Sequence, residues 1–183
     1  MPEQDQHEIQ QAIRRLAGLS ASNLEDADID TGILLDVVRR GSSDLRSRLF
    51  ACEILLRRDA QTFLPEIGAR TAAAIYAAAL RESPGVDLNV WGFLGMGDLG
   101  PFGKHLVACG EAGTAALAPL LDDARPAGLY GGSKEAKIGN SDNPRVCDFA
   151  AFLIAAIRRL PYTFHRNDFT ARNAEITRLR MGL

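Results

Sequence analysis

Apolar residues recur at helical spacing along almost the whole chain, and nowhere do they alternate with polar ones over the length of a strand. Ile9, Ile13 and Leu16 stand at i, i+4 and i+7, which predicts an amphipathic helix over residues 4–18. A second begins at Asp30 or Thr31, both good N-caps, carries Ile33, Leu34, Val37 and Val38, and stops at Gly41. A third runs from Ser43 or Asp44 to near Asp59 with Leu45, Leu49, Cys52, Leu55 and Leu56 inward. A fourth starts between Gln61 and Leu64 and includes the alanine-rich stretch 71–80, until Ser83-Pro84-Gly85 breaks it. Residues 86–103 read as an irregular, glycine-rich connection around Trp91 and Phe93. Short helices are expected near Gly103–Cys109 and over Thr114–Asp123, the latter capped by Thr114. After a polar loop at 124–143, Asn143-Pro144 opens a strongly apolar helix with Val146, Phe149, Leu153, Ile154 and Ile157, stopped by Pro161. A last helix covers 169–181. The expected fold class is all-α.

Length supports one domain over residues 1–183, large enough for a core without disulfides or metal. Cys52, Cys109 and Cys147 are far apart, odd in number and set in apolar stretches, so they read as reduced thiols acting as small hydrophobes. No apolar run reaches the ~18 residues a membrane span requires. The first fifteen residues lack the basic start and apolar core of a secretory signal. A cytoplasmic protein with no membrane partner and no cofactor is the expectation. The 27 alanines suit helices. The 18 arginines against 3 lysines suggest a GC-rich, bacterial-type coding source. The net charge of −2 hides an acidic segment, 1–30, and two basic ones, 39–58 and 156–183, which read as solvated helix faces.

An internal repeat is visible. With Thr31–Gly41 set over Thr114–Ala124, Leu34, Val37 and Val38 meet Leu117, Leu120 and Leu121. With Arg46–Arg57 set over Arg145–Ala156, Phe50-Ala51 meets Phe149-Ala150, and Leu55 meets Ile154. The offsets are 83 and 99, so the second copy's connection carries 99 − 83 = 16 extra residues. The stretch Gly110-Glu111-Ala112-Gly113-Thr114-Ala115-Ala116-Leu117-Ala118-Pro119-Leu120-Leu121-Asp122-Asp123, followed by Arg145-Val146-Cys147-Asp148-Phe149-Ala150-Ala151, resembles HEAT-like repeats of the phycobilisome-lyase type. Those repeats pair an Ala/Leu-rich helix ending in Leu-Leu-Asp-Asp with a helix beginning Val-Arg-x-x-Ala-Ala; here the order is Arg145-Val146 and the turn is longer. The resemblance implies a short α-α superhelix of about three units with a concave partner-binding face, capped by residues 4–18 and 169–181.

Chemistry concentrates in few places. The 124–143 loop is long for a helix–helix connection, and such loops are usually functional or disordered. Tyr130 offers an aromatic face, and Lys134, Lys137 and Asn140 offer donors. Gly131-Gly132-Ser133-Lys134 resembles a phosphate loop but lacks the Walker A spacing and a preceding strand. Gly95-Met96-Gly97-Asp98-Leu99-Gly100 matches G-x-G-x-x-G, yet strands alternating with helices are missing and Pro101 stands where a helix should open. His105 and Cys109 share a helix face at i, i+4, without a third ligand to make a metal site. Arg145 and Asp148, at i, i+3 after the loop, are placed to pair with each other. Pro161–Asp168 reads as a turn packing Tyr162 and Phe164.

The leading functional reading is a small HEAT-like interaction or scaffold protein that recognises a protein partner through its concave face and the 124–143 loop. The binding candidates are Trp91, Asp98, His105, Tyr130, Lys134, Asn140, Arg145 and Asp148. An alternative is an enzyme or small-molecule binder with a polar pocket between residues 86–105 and 124–148. A second alternative is nucleic-acid binding through the arginine-rich helices, disfavoured by the net charge.

Overall fold

The computed structural model describes residues 3–40, 44–82, 92–94, 98–127 and 141–183. These form eight α-helices: α1 Glu3–Ala17, α2 Thr31–Arg39, α3 Leu45–Ile67, α4 Ala69–Glu82, α5 Pro101–Ala108, α6 Glu111–Leu117, α7 Val146–Arg158 and α8 Phe169–Arg180. The protein is all-α; among the described residues the only β-type pairings are the isolated bridges Leu94–Leu99 and Pro126–Arg145. Aspartates start three helices. Asp30 accepts from the backbone N–H of Gly32 and Ile33, Asp44 from that of Ser47, and Asp168 from that of Ala171.

Three expected boundaries differ. The fourth helix is not continuous from the low sixties. Asp59 leaves the helical region (φ −163°, ψ 94°) and recaps the chain through Gln61 and Thr62, so residues up to Ile67 form a bent end of α3. Gly68, at φ 86°, then turns the chain into α4, a conformation that strains any side-chain-bearing residue. Thr114 is not a cap: Gly110 at φ 59° reverses the chain, α6 begins at Glu111, and Thr114 is buried inside it. A 3-10 turn, Ala118–Asp122, extends α6. Pro101 occupies the first helical position of α5, where its missing N–H costs nothing, so it argues neither for nor against a nucleotide turn. Gly95 to Gly97 lie outside the described residues.

Helices pack largely in chain order: α1 on α2 and α3, α2 on α3, α3 on α4, α4 on α6, α6 on α7, and α7 on α8, with α5 against α3, α4 and α7. One continuous cluster of buried side chains runs from Ile9 to Leu179. Every repeat-matched pair is buried in both copies: Leu34 with Leu117, Val37 with Leu120, Val38 with Leu121, Phe50 with Phe149, Ala51 with Ala150, Leu55 with Ile154. Alanines Ala72, Ala73, Ala77 and Ala79 are buried on α4. Gly103 is required by close approach, since a Cβ there would stand 2.1 Å from the carbonyl oxygen of Phe93. The last two helices run the same way. Arg172 and Asn173 of α8 meet the first turn of α7, and Gly182, just after α8, accepts from Arg158 at the end of α7. The connection 159–168 therefore returns along α7, packing Tyr162 edge-on to Phe152 and Phe164 under Arg172.

Candidate functional site

Among the sequence candidates, Trp91, Tyr130, Lys134 and Asn140 lie outside the described residues. Asp98 is exposed. The other three fall into two separate networks, each built on a fully buried carboxylate.

The first is centred on Glu53, which sits on the core face of α3 between Leu49 and Leu56. Its Oε2 accepts from the Tyr76 hydroxyl at 2.6 Å and lies 2.9 Å from His105 Nδ1, while Oε1 accepts from Arg57 Nε at 2.7 Å. Burial pushes the Glu53 pKa up, but the hydrogen bond and charge of His105, with Tyr76 and Arg57, outweigh it and hold the carboxyl below its ordinary range. Burial, with Glu53 beside it, keeps the Tyr76 hydroxyl protonated far above its ordinary value. Cys109 donates to the His105 carbonyl oxygen, and burial pushes its thiol up to about 11. Burial likewise raises Cys52. Both are inert thiols, and all three cysteines are free and buried. Chemically this network ties α3, α4 and α5 together through one acceptor group.

The second network is built on Asp148, at the third position of α7. Its carboxylate accepts from the Arg145 backbone N–H at 2.9 Å, from Arg145 Nη2 at 2.7 Å and Nε at 3.1 Å, and from Arg172 Nη1 at 3.2 Å. The expected Arg145–Asp148 pair is therefore present. Arg172 is 0% exposed and none of its interactions was anticipated. It donates from Nε to the His165 carbonyl oxygen at 2.6 Å and from Nη2 to that of Asp142 at 2.7 Å, with a longer contact to that of Asn143. Its guanidinium lies 4.3 Å from the Phe164 ring centroid and 5.1 Å from that of Phe169. Together these contacts pin the far end of the 124–143 loop. The near end is held by backbone bonds from Ala127 to Pro144, Val146 to Arg125 and Cys147 to Asp123. The segment 128–140, outside the described residues, is thus flanked on both sides by fixed backbone.

The two networks do not share a pocket. A Cβ on Gly113 would touch both Ile157, near the end of α7, and the Leu106 carbonyl oxygen, so the residue following His105 lies by that end. Arg145 caps the beginning, about 18 Å away along the helix at ~1.5 Å per residue. His105 therefore works with Glu53 and Tyr76, and Arg145 with Asp148 and Arg172.

Beside the loop base lies a cleft of about 280 Å³ lined by Leu121, Asp122, Ala124, Arg145, Cys147, Asn173, Ile176, Thr177 and Arg180. Asn173 Oδ1 accepts from Arg145 at 2.9 Å, and Arg180 Nη2 donates to the Leu121 carbonyl oxygen at 2.6 Å and to Asp122. Leu121 and Ile176 supply apolar lining. Periodicity carried a signal for the residues it did not nominate: Glu53 stands in step with Leu49 and Leu56, and Arg172 with Ile176 and Leu179, each an ionisable group on a stripe that is otherwise core.

Most arginines in the two basic segments are spent inside the chain. Arg46 donates to the Leu19 carbonyl oxygen, Arg48 to Val38, Arg58 to Ala27 and Ile29, Arg158 to Gly182, and Arg178 to Pro161. The planar guanidinium reaches two acceptors at once, which a lysine ammonium does less specifically, and the basic runs are cross-chain clamps as well as solvated faces. Among the described residues no cluster of His, Cys, Asp or Glu could hold a metal ion, and no helix is long and apolar enough to cross a membrane. No protein-family model matches the chain, and no curated protein or solved structure matches it.

Proposed function

We propose that this chain is a small cytoplasmic interaction protein of HEAT-like, phycobilisome-lyase-type architecture, which recognises a protein partner with the 124–143 loop and the surface beside its base. The observation that carries the reading is the double anchoring of that loop. One side is fixed by the Pro126–Arg145 bridge and the other by the fully buried Arg172. A long connecting segment held at both ends, next to a cleft, is a usual way for a scaffold to present a recognition element. The burial of all six repeat-matched pairs supports the array, in which stacked helix pairs leave a concave face for a partner. The nucleic-acid reading loses support because most arginines of 39–58 and 156–183 already serve acceptors within the chain.

A photo-crosslinking amino acid at Thr177, on the cleft wall, is expected to trap one discrete protein in an extract of the source cells. The same group at Arg70, exposed on α4, is expected to trap none. Identical crosslink patterns from the two positions would remove the cleft and loop from the recognition surface.

A further inference from the structure

We infer that the cleft beside the loop base receives a carboxylate side chain from an acidic segment of the partner. This rests on the partner-binding reading of the same site and adds the chemistry of what is bound.

The cleft is rich in donors and poor in free acceptors. Arg145 turns its Nε and Nη2 to Asp148 and Asn173, leaving Nη1 without a protein acceptor among the described residues. Arg180 uses only Nη2, for Leu121 and Asp122, leaving Nε and Nη1. Asn173 spends its carbonyl oxygen on Arg145 and keeps its amide N–H groups. Of the side-chain acceptors in the wall, the Asn173 Oδ1 is engaged by Arg145 and one Asp122 oxygen by Arg180, which leaves the second Asp122 oxygen and the Thr177 hydroxyl oxygen. Thr177 directs its hydroxyl proton to the Asn173 backbone carbonyl oxygen. The unspent donors outnumber the unspent acceptors, so an incoming group gains most by bringing acceptors.

Charge and size narrow the choice to a monoanion. In the wall Arg145 and Arg180 face Asp122, and behind it Arg172 faces Asp148, leaving a surplus of one positive charge. One carboxylate neutralises that surplus, whereas a dianionic phosphate would overshoot it. Side-by-side guanidinium N–H groups match the planar carboxylate. A volume of about 280 Å³ falls just below the usual small-molecule range and suits one or two side chains, with Leu121 and Ile176 to receive their methylene stems.

The test is a titration of the uniformly ¹⁵N-labelled full chain with the capped peptide acetyl-AEELA-amide, reading the amide peaks of Asn173 and Thr177. Saturable shifts are expected at an apparent Kd at least about tenfold lower than for acetyl-AQQLA-amide, the difference a charge-assisted hydrogen bond supplies. Arg180→Gln, a change at an exposed position that leaves the fold intact, is expected to bring the acidic peptide to the level of the glutamine peptide. Equal binding of the two peptides, shifts confined to other residues, or equally tight displacement by inorganic phosphate would each overturn the assignment. If the Thr177 crosslinker still traps a partner while the acidic peptide fails, the carboxylate assignment falls and the partner reading stands.

Discussion

The two copies of the internal repeat bury the same six apolar pairs, yet each also buries a carboxylate, and at different positions. Where the first copy has Leu49 on α3, the second has Asp148 on α7, and both are 0% exposed. A leucine there needs only neighbours. An aspartate needs donors, because an unpaired buried charge is costly. The second copy supplies them from two directions, Arg145 at the loop base and Arg172 from α8. That same copy carries the additional sixteen residues in its connection. Each copy therefore has a polar hub: the first buries Glu53, where the second has Phe152, and joins core helices through it, while the second uses Asp148 to join the loop base, α7 and the last helix. Of the two buried carboxylates, Asp148 is the one at the foot of the lengthened connection, the place where a site added to a scaffold is expected to break a local rule.

The largest expected effect comes from restoring the first copy's residue. Asp148→Leu leaves Arg172 buried without its carboxylate and should cost about 3–5 kcal/mol, lowering Tm on the order of 10 °C. The double variant Asp148→Leu/Arg172→Met should recover much of that loss. Wild-type stability in the single variant would show that the hub does not hold the fold.

The other buried carboxylate gives a smaller effect with a distinct pH signature. Glu53→Gln keeps the shape but weakens three donated bonds, so about 1–3 kcal/mol is expected at pH 7. The Glu53 pKa is lowered in the folded chain, so the stability it contributes is fully present above the unfolded value near ~4.3 and fades as pH falls through the folded one. Denaturant midpoints of wild type and Glu53→Gln should therefore converge as pH drops below about 4. A gap that widens in acid would contradict the donor arrangement. The smallest effect belongs to Arg180→Gln. Its pair with Asp122 is exposed, 42% and 79%, and a loss of under ~1 kcal/mol is expected by chemical denaturation. A larger loss would make Arg180 part of the fold rather than of the cleft.

Helix existence was readable because apolar period dominates this chain, and the starts at Asp30 and Asp44 were readable because the donors those aspartates satisfy are local. The stop near Asp59 was readable, while the breaks at Gly68 and Gly110 were harder, since each depends on one glycine among many taking a positive φ. Arg145 with Asp148 was legible from spacing alone. Arg172 was not: its acceptors come from residues 142, 143, 148 and 165, and only folding assembles them. Glu53 with Tyr76 and His105 was hidden for the same reason, with sequence separations of 23 and 52. The arginine excess was read as a coding bias, while its structural use, bridging distant carbonyl oxygens, has no signature in one dimension.

The central claim is that the long loop recognises a partner and does not hold the fold. It is tested by comparing the proteins retained from cell extract by the wild type and by Tyr130→Ala/Lys134→Ala, with Tm measured on both. Loss of a specific partner with Tm unchanged to within about 2 °C, the scale of an ordinary surface substitution, is the expected result. An identical set of retained proteins, or a fall in Tm as large as that of Asp148→Leu, would contradict it.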